Sequence, residues 1–289
     1  MPDRVSPPPD PFDRKALACN AERARRMAAS GASEGADFLV RAATDDLAER
    51  LDAVERRFAS AALVDPPLPW IAEQLGAVER IEALDTVATE ADGRLPLAAA
   101  SRDLVVSVMG LHLVADIPGL LIQAARALKP DGLFLAVLPG GETLRELRAV
   151  MLSAESAVTG GAGPRVFPFV DVRDAGALLQ RAGLALPVAD LDRLTVRYAS
   201  PLALMNELRA MGMQNALAAR SRTFLPRAVL MEACRLYAEE HGDADGRVRA
   251  TFDLVSLSGW RPHESQQKPL APGSAKASLA AALDPLRES

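Results

Sequence analysis

The sequence predicts an α/β protein built on a parallel sheet, and three observations in one stretch carry that prediction. Asp103 to Val108 is a short run of mainly β-branched apolar residues without polar alternation, as expected of a strand covered on both faces. From Ile117 to Leu128 the apolar residues Leu120, Leu121, Ala124 and Leu128 recur at helical spacing, and Lys129-Pro130-Asp131-Gly132 stops that helix. Leu133 to Leu138 is a second apolar run, ended by Pro139-Gly140-Gly141. Strand, helix and strand within about forty residues make a right-handed crossover between parallel neighbours.

The chain has 289 residues, 49% of them apolar, enough to bury the core of one large domain. Its net charge is −5 and its arginines are scattered, so it lacks the electrostatic footprint of a nucleic-acid binder. Cys19 and Cys234 stand alone, which points to neither a disulfide framework nor a metal site and fits a reducing, intracellular setting. No apolar run approaches the roughly twenty residues needed to span a bilayer, and the first residues are neither a signal nor a transit peptide. Richness in alanine and arginine suggests a bacterial gene, hence a cytoplasmic protein.

Residues 1–11 are proline-rich and expected to be disordered. Phe12 then anchors the terminus, and Asp13 caps an Arg-rich helix to Ala29. A further helix is expected over Phe38 to Phe58, a first strand over Ser60 to Val64, and a second over Ile81 to Leu84, ending at Asp85. After Thr159-Gly160-Gly161, Val166-Phe167-Pro168-Phe169 leads into a helix from Val172 to Ala182, capped by Asp171 and stopped by Gly183. Leu184 to Val188 and Leu194 to Tyr198 read as two strands. Pro201 to Ala219 and Pro226 to Glu240 read as helices opened by proline, forming an insertion over about 201–240. Ala250 to Leu257 is the last strand, and residues 267–289 read as a flexible tail with a short helix at Leu279 to Leu286.

Some of these residues also carry a resemblance. Asp-Leu-Val-Val-Ser from Asp103, Leu111-His112-Leu113, and Ala127-Leu128-Lys129-Pro130-Asp131-Gly132 resemble the fourth and fifth strands of class I S-adenosylmethionine-dependent methyltransferases. Gly140-Gly141-Glu142-Thr143-Leu144 through Arg148, and Gly259-Trp260 with His263-Glu264-Ser265-Gln266, are narrower. They resemble the methyltransferase-like family of complex I assembly factor 5 and, more distantly, the biotin-pathway carboxyl methyltransferases.

The resemblance implies a doubly wound, mostly parallel, seven-stranded sheet over residues 12–266. It implies cofactor contacts at Asp65, Asp85, Asp92 and Met109, and substrate or partner contacts at Glu142, Arg148 and Trp260. His112, His263 and Glu264 are its candidate catalytic groups, and no metal ligand set is read. The loop after the first strand departs from the family. Its three glycine positions fall on Asp65, Pro67 and Pro69, where proline removes N–H donors that a ligand carboxylate needs.

Three functions follow as expectations. One is an assembly factor that acts on or chaperones a protein, a complex I subunit by resemblance. Another is an active S-adenosylmethionine-dependent methyltransferase for a small molecule or a carrier protein. The last is the protein-arginine hydroxylation associated with a eukaryotic member of the family, which would work in the mitochondrial matrix.

Overall fold

The computed structural model describes residues 10–31 and 35–267. Most of the first eleven residues, the tail beyond Gln267 and the helix expected at Leu279 to Leu286 lie outside the described residues.

Six strands form one sheet. In chain order they are β1 (Ala61–Val64), β2 (Leu84–Val87), β3 (Arg102–Val108), β4 (Leu128–Pro139), β5 (Ala185–Tyr198) and β6 (Val248–Trp260). They lie side by side as β2-β1-β3-β4-β6-β5. The pairs β1–β2, β1–β3 and β3–β4 are parallel, whereas β6 runs antiparallel to both β4 and β5. The expected doubly wound, mostly parallel sheet is therefore present.

The strand count is six among the described residues, not seven. Between β2 and β3, Pro96 has no N–H to give a ladder, and the Leu95 N–H is taken by the Gln123 side chain at 2.9 Å. The two strands expected at Leu184 to Val188 and Leu194 to Tyr198 are the single strand β5.

Side chains alternate across the central strands, as a period of two requires. Leu104, Val106 and Val108 of β3 and Leu133, Leu135 and Val137 of β4 enter one apolar cluster. Val105, Phe134, Ala136 and Leu138 enter the other. Helices cover both faces. The first cluster takes side chains of α2 (Phe38–Asp52), α3 (Trp70–Gly76), α5 (Arg145–Thr159), α7 (Pro201–Ala210) and α8 (Arg227–His241). The second takes those of α4 (Ile117–Ala127) and α6 (Val172–Arg181).

Local chemistry sets the helix ends. Asp13 caps α1 (Arg14–Ala29) by accepting from Ala16 N, and Asp171 caps α6 by accepting from Arg173 N, both as the sequence predicts. Ser200 caps α7 through Ala203 N. That helix ends at Ala210, well before Ala219, because Gly212 turns the chain with φ +74°. The helix expected over Phe38 to Phe58 likewise ends early, at Asp52.

Gly140, just past the end of β4, lies against β6. A Cβ there would lie 2.8 Å from Val255 Cγ2 and 2.9 Å from Asp253 Cβ. The expected result for Gly140→Ala is a loss of about 1–3 kcal/mol in urea unfolding, because the collision is with atoms next to the backbone of a central strand.

Candidate functional site

Ligands of open α/β sheets bind outside the carboxyl ends of the strands, where the strand order reverses. Here that place lies between β1 and β3. Two residues with positive φ shape it: Asp65 (φ +46°) just after β1 and Met109 (φ +52°) just after β3. The Met109 N–H donates to Val137 O at 2.8 Å, so the turn is tied to β4. Asp65 is fully engaged by its neighbours. Its N–H donates to Val87 O at 3.0 Å, and its carboxylate accepts from the Thr89 N–H at 2.9 Å and from the Thr89 hydroxyl.

Beyond Asp65 the loop is compact. Leu68 is buried, and Pro69 stands at the N-cap of α3 with no side-chain hydrogen bond. Trp70, the first residue of α3, packs on the α2 side, where the Arg41 guanidinium lies 4.6 Å from its ring centroid.

One cavity of about 60 Å³ opens at this edge. Its floor is Pro67, Met109 and His112, and its walls are Phe12, Phe167, Phe169, Met211 and Met213. The aromatic rings touch one another: Phe12 stacks on Phe167 with centroids 5.2 Å apart, and Phe167 meets Phe169 edge-on at 5.3 Å. His112 sits in the 3₁₀ turn Leu111–Leu113 with its ring 5.9 Å from Phe169. It is 7% exposed, and its Nδ1 has no hydrogen-bond partner. Burial alone lowers its pKa to about 3, so the imidazole is neutral at physiological pH.

The walls are held from outside the cavity. Phe12 bridges to Leu217, and the Asp13 N–H donates to Ala216 O at 2.8 Å. The Arg148 guanidinium donates to Thr143 O at 3.1 Å and to Phe167 O at 3.4 Å, fixing the aromatic segment over the pocket. Glu155 accepts from the Gly163 N–H at 3.0 Å and pairs with Arg165, which braces the same segment. Arg148 is therefore a positioning residue for the cavity.

Other expected site residues lie elsewhere. Asp85 falls inside β2, because that strand runs three residues later than Ile81 to Leu84; its exposed carboxylate pairs with Arg102. Asp92 is exposed and accepts from the Arg94 N–H in its own turn. Glu142 is exposed and lies 3.4 Å from Arg145.

Trp260, His263 and Glu264 are at the opposite edge of the sheet. Since β6 is antiparallel, its end at Trp260 pairs with Leu133 and Ala185, at the amino ends of β4 and β5. Beyond it the Arg261 N–H donates to Gly132 O at 2.7 Å, and the Gln266 amide donates to Asp131 at 2.9 Å. The His263 ring bonds only to Ser265. This run clasps the start of β4 at Lys129 to Gly132 and does not meet His112.

Sequence reasoning missed Phe167 and Phe169 as cavity walls. Their i, i+2 spacing on an extended segment, which puts both rings on one side, was the available signal. Met211 and Met213 share that spacing around Gly212. Among the described residues, no three His, Cys, Asp or Glu side chains converge to hold a metal ion.

Comparison with known proteins places this geometry in context. Residues 47–136 match a family described as a methyltransferase domain. The chain is 36% identical over 262 residues to the mitochondrial arginine-hydroxylase NDUFAF5 of Danio rerio, covering 84% of this chain and 81% of that protein. The human protein of that name is 40% identical over 197 residues, covering 68% of this chain and 57% of its own length. A malonyl-[acyl-carrier protein] O-methyltransferase of Methylovorus sp. is 36% identical over 169 residues, covering 58% and 54%. The chain thus spans little more than half the length of the last two relatives.

Proposed function

Because the chain belongs to the NDUFAF5 family and carries its methyltransferase-type domain, we propose that it is an assembly factor of the respiratory complex I type, one that acts on or chaperones a protein subunit without using S-adenosylmethionine. The observation that carries this reading is the cavity. Its volume of about 60 Å³ is small beside the roughly 300–1,000 Å³ of pockets for ligands of cofactor size. The residues around it do not fit the cofactor. Asp65 is consumed by Thr89, Asp85 by Arg102, and Pro66, Pro67 and Pro69 offer no N–H to a carboxylate. In a bacterial cell the protein works in the cytoplasm; in a eukaryotic one, in the matrix.

The name of the relatives raises arginine hydroxylation as a second reading. A two-His-one-carboxylate iron site does not assemble from the residues present. The chain has three histidines; His112 lies at the carboxyl edge of the sheet, His263 beyond its amino edge, and His241 at the end of α8. The family's motifs instead support the fold. Glu146 and Arg148 tie α5 to β6 and to the aromatic wall, and Gln266 closes the amino edge.

Isothermal titration with S-adenosylmethionine and S-adenosylhomocysteine tests the proposal. The expected result is no heat of binding up to millimolar ligand. Micromolar binding, lost in Asp65→Ala, would overturn it and restore the methyltransferase reading.

A further inference from the structure

The two edges of the sheet are unequal. One is β2, of 4 residues, and the other is β5, of 14 residues, with β6 as its only strand neighbour among the described residues. An edge strand turns alternate N–H and C=O groups away from its neighbour, and such groups pair readily with another extended chain. Pro187 has no N–H, and the register of β5 on β6 shifts between Ala185 and Val188. The edge open to extension therefore runs from Val188 to Tyr198.

Apolar side chains gather along it. Leu186, Val188 and Leu191 are exposed, and no other element among the described residues holds three exposed large apolar side chains. With a period of two, Val188, Asp190, Asp192, Leu194 and Val196 share the face packed by α2. Ala189, Leu191, Arg193, Thr195 and Arg197 share the face packed by α6. On that face an open groove of about 370 Å³ is bordered by Gly176, Ala177, Pro187 and Ala189.

Charge along the edge is met on one face and left over on the other. Arg193 pairs with Asp253 at 2.7 Å, and Arg197 pairs with Asp243 and Asp245 at 2.7 and 2.6 Å. On the α2 face a single guanidinium serves three carboxylates: Arg50 lies 2.9 Å from Asp46, 3.0 Å from Asp190 and 4.0 Å from Asp192. The Asp192 side chain is 59% exposed, so its charge faces any strand laid alongside.

These features choose between occupants. In the antiparallel pairing of a two-fold dimer, opposed residues share a face. A second copy would set Asp190 and Asp192 against Val188, Asp190, Asp192, Leu194, Val196 or Tyr198, none of them a cation. The edge thus disfavours its own copy and suits a strand that brings the missing positive charge.

We propose that β5, from Val188 to Tyr198, takes up an extended segment of a second protein as an added strand. Lysine or arginine side chains of that segment meet Asp192 on the α2 face, and its alternate apolar side chains cover Leu191 and the α6 groove. The proposal rests on the reading that the protein acts on another protein, whereas the titration above tests the cofactor, so the two can fail separately.

Fluorescence anisotropy tests it with two synthetic peptides of about ten residues, one alternating lysine and valine, the other glutamate and valine. The lysine peptide is expected to bind about tenfold more tightly and to slow hydrogen exchange of the β5 amides. Asp192→Lys is expected to weaken the lysine peptide about tenfold and to strengthen the glutamate peptide, because an attractive cross-strand pair becomes a repulsive one. Unchanged thermal melting of this variant shows that folding is not the cause. No binding of the lysine peptide at millimolar concentration, equal binding of both peptides, or binding that Asp192→Lys leaves unchanged would overturn the proposal. So would β5 amides already protected in the free protein: in a dimer the edge then belongs to a second copy, in a monomer to another segment of this chain.

Discussion

Urea unfolding is expected to show the protein about 2.5 kcal/mol less stable at pH 4.5 than at pH 7 through one residue, His112. In the folded state its pKa is lowered to about 3 by burial among Phe167, Phe169 and Met109. In the unfolded chain it titrates near 6.5. The unfolded state therefore binds the proton first. Stability from this group is fully present above pH 6.5 and is lost as pH falls from there towards 3, at about 1.4 kcal/mol per pH unit. Only the unfolded state is stabilised by acid.

His112→Leu removes the titration. It also removes a buried Nδ1 that has no partner, so at pH 7 the variant is expected within about 1 kcal/mol of wild type. The informative quantity is the difference between the two proteins as a function of pH. Glu207, whose carboxyl burial raises, titrates in both and cancels. A difference that stays flat between pH 7 and 4.5 would mean that His112 reaches solvent or a partner group, and would return it to the list of candidate acid–base residues.

The sequence announced what was periodic and local. The two buried strands at the centre and the helix between them were legible, because a parallel strand covered on both faces leaves an unbroken apolar run, although Lys129 to Gly132, read as the helix stop, already belongs to β4. The caps at Asp13 and Asp171 were legible from residue type alone. At the sheet's margins the pattern thins. Asp190 to Arg193 reads as a polar turn, yet it continues β5, since an edge strand needs only one partner and its charges are met by other elements. Arg50 lies 3.0 Å from Asp190, and Arg193 grips Asp253 at 2.7 and 2.9 Å.

The site was less legible than the fold. Resemblance joined His112, His263 and Glu264 in one list, but strand direction separates them, and direction leaves no mark in an apolar run. The cavity walls come from three separated segments, around Phe12, Phe167 and Met211. None of these carries a polar signature. What brings them together is the bond from Arg148 to Phe167 O and the backbone bond from Asp13 N to Ala216 O, visible only once the chain is folded.

Glu146→Ala is expected to destabilise the protein by about 3 kcal/mol, the effect of removing a buried charged acceptor and stranding its donors. Glu146 is 6% exposed on the first turn of α5. Its carboxylate accepts from the Thr251 N–H at 3.0 Å and from the Thr251 hydroxyl, and Arg145 Nε lies 3.3 Å away. Burial works to raise its pKa, but the bonds from Thr251, from the backbone and from Arg145 outweigh burial and hold the carboxyl below its usual range. The sign follows. The contribution is present above the unfolded value near 4.5 and is lost as pH falls through the lower folded value. Glu146→Gln keeps an acceptor without the charge, so about 1–2 kcal/mol is expected at pH 7, shrinking towards zero in acid below pH 4.5. This window opens only below pH 4.5, whereas that of His112 opens at 6.5, so of the two groups only His112 acts between pH 6.5 and 4.5. The motif Glu142 to Arg148 then has a physical reading: Glu146 bolts α5 to the last strand, and one turn of the same helix sets Arg148 against the aromatic wall of the cavity. A loss under about 1 kcal/mol in Glu146→Ala would break that reading and move the motif's role to a contact outside the fold.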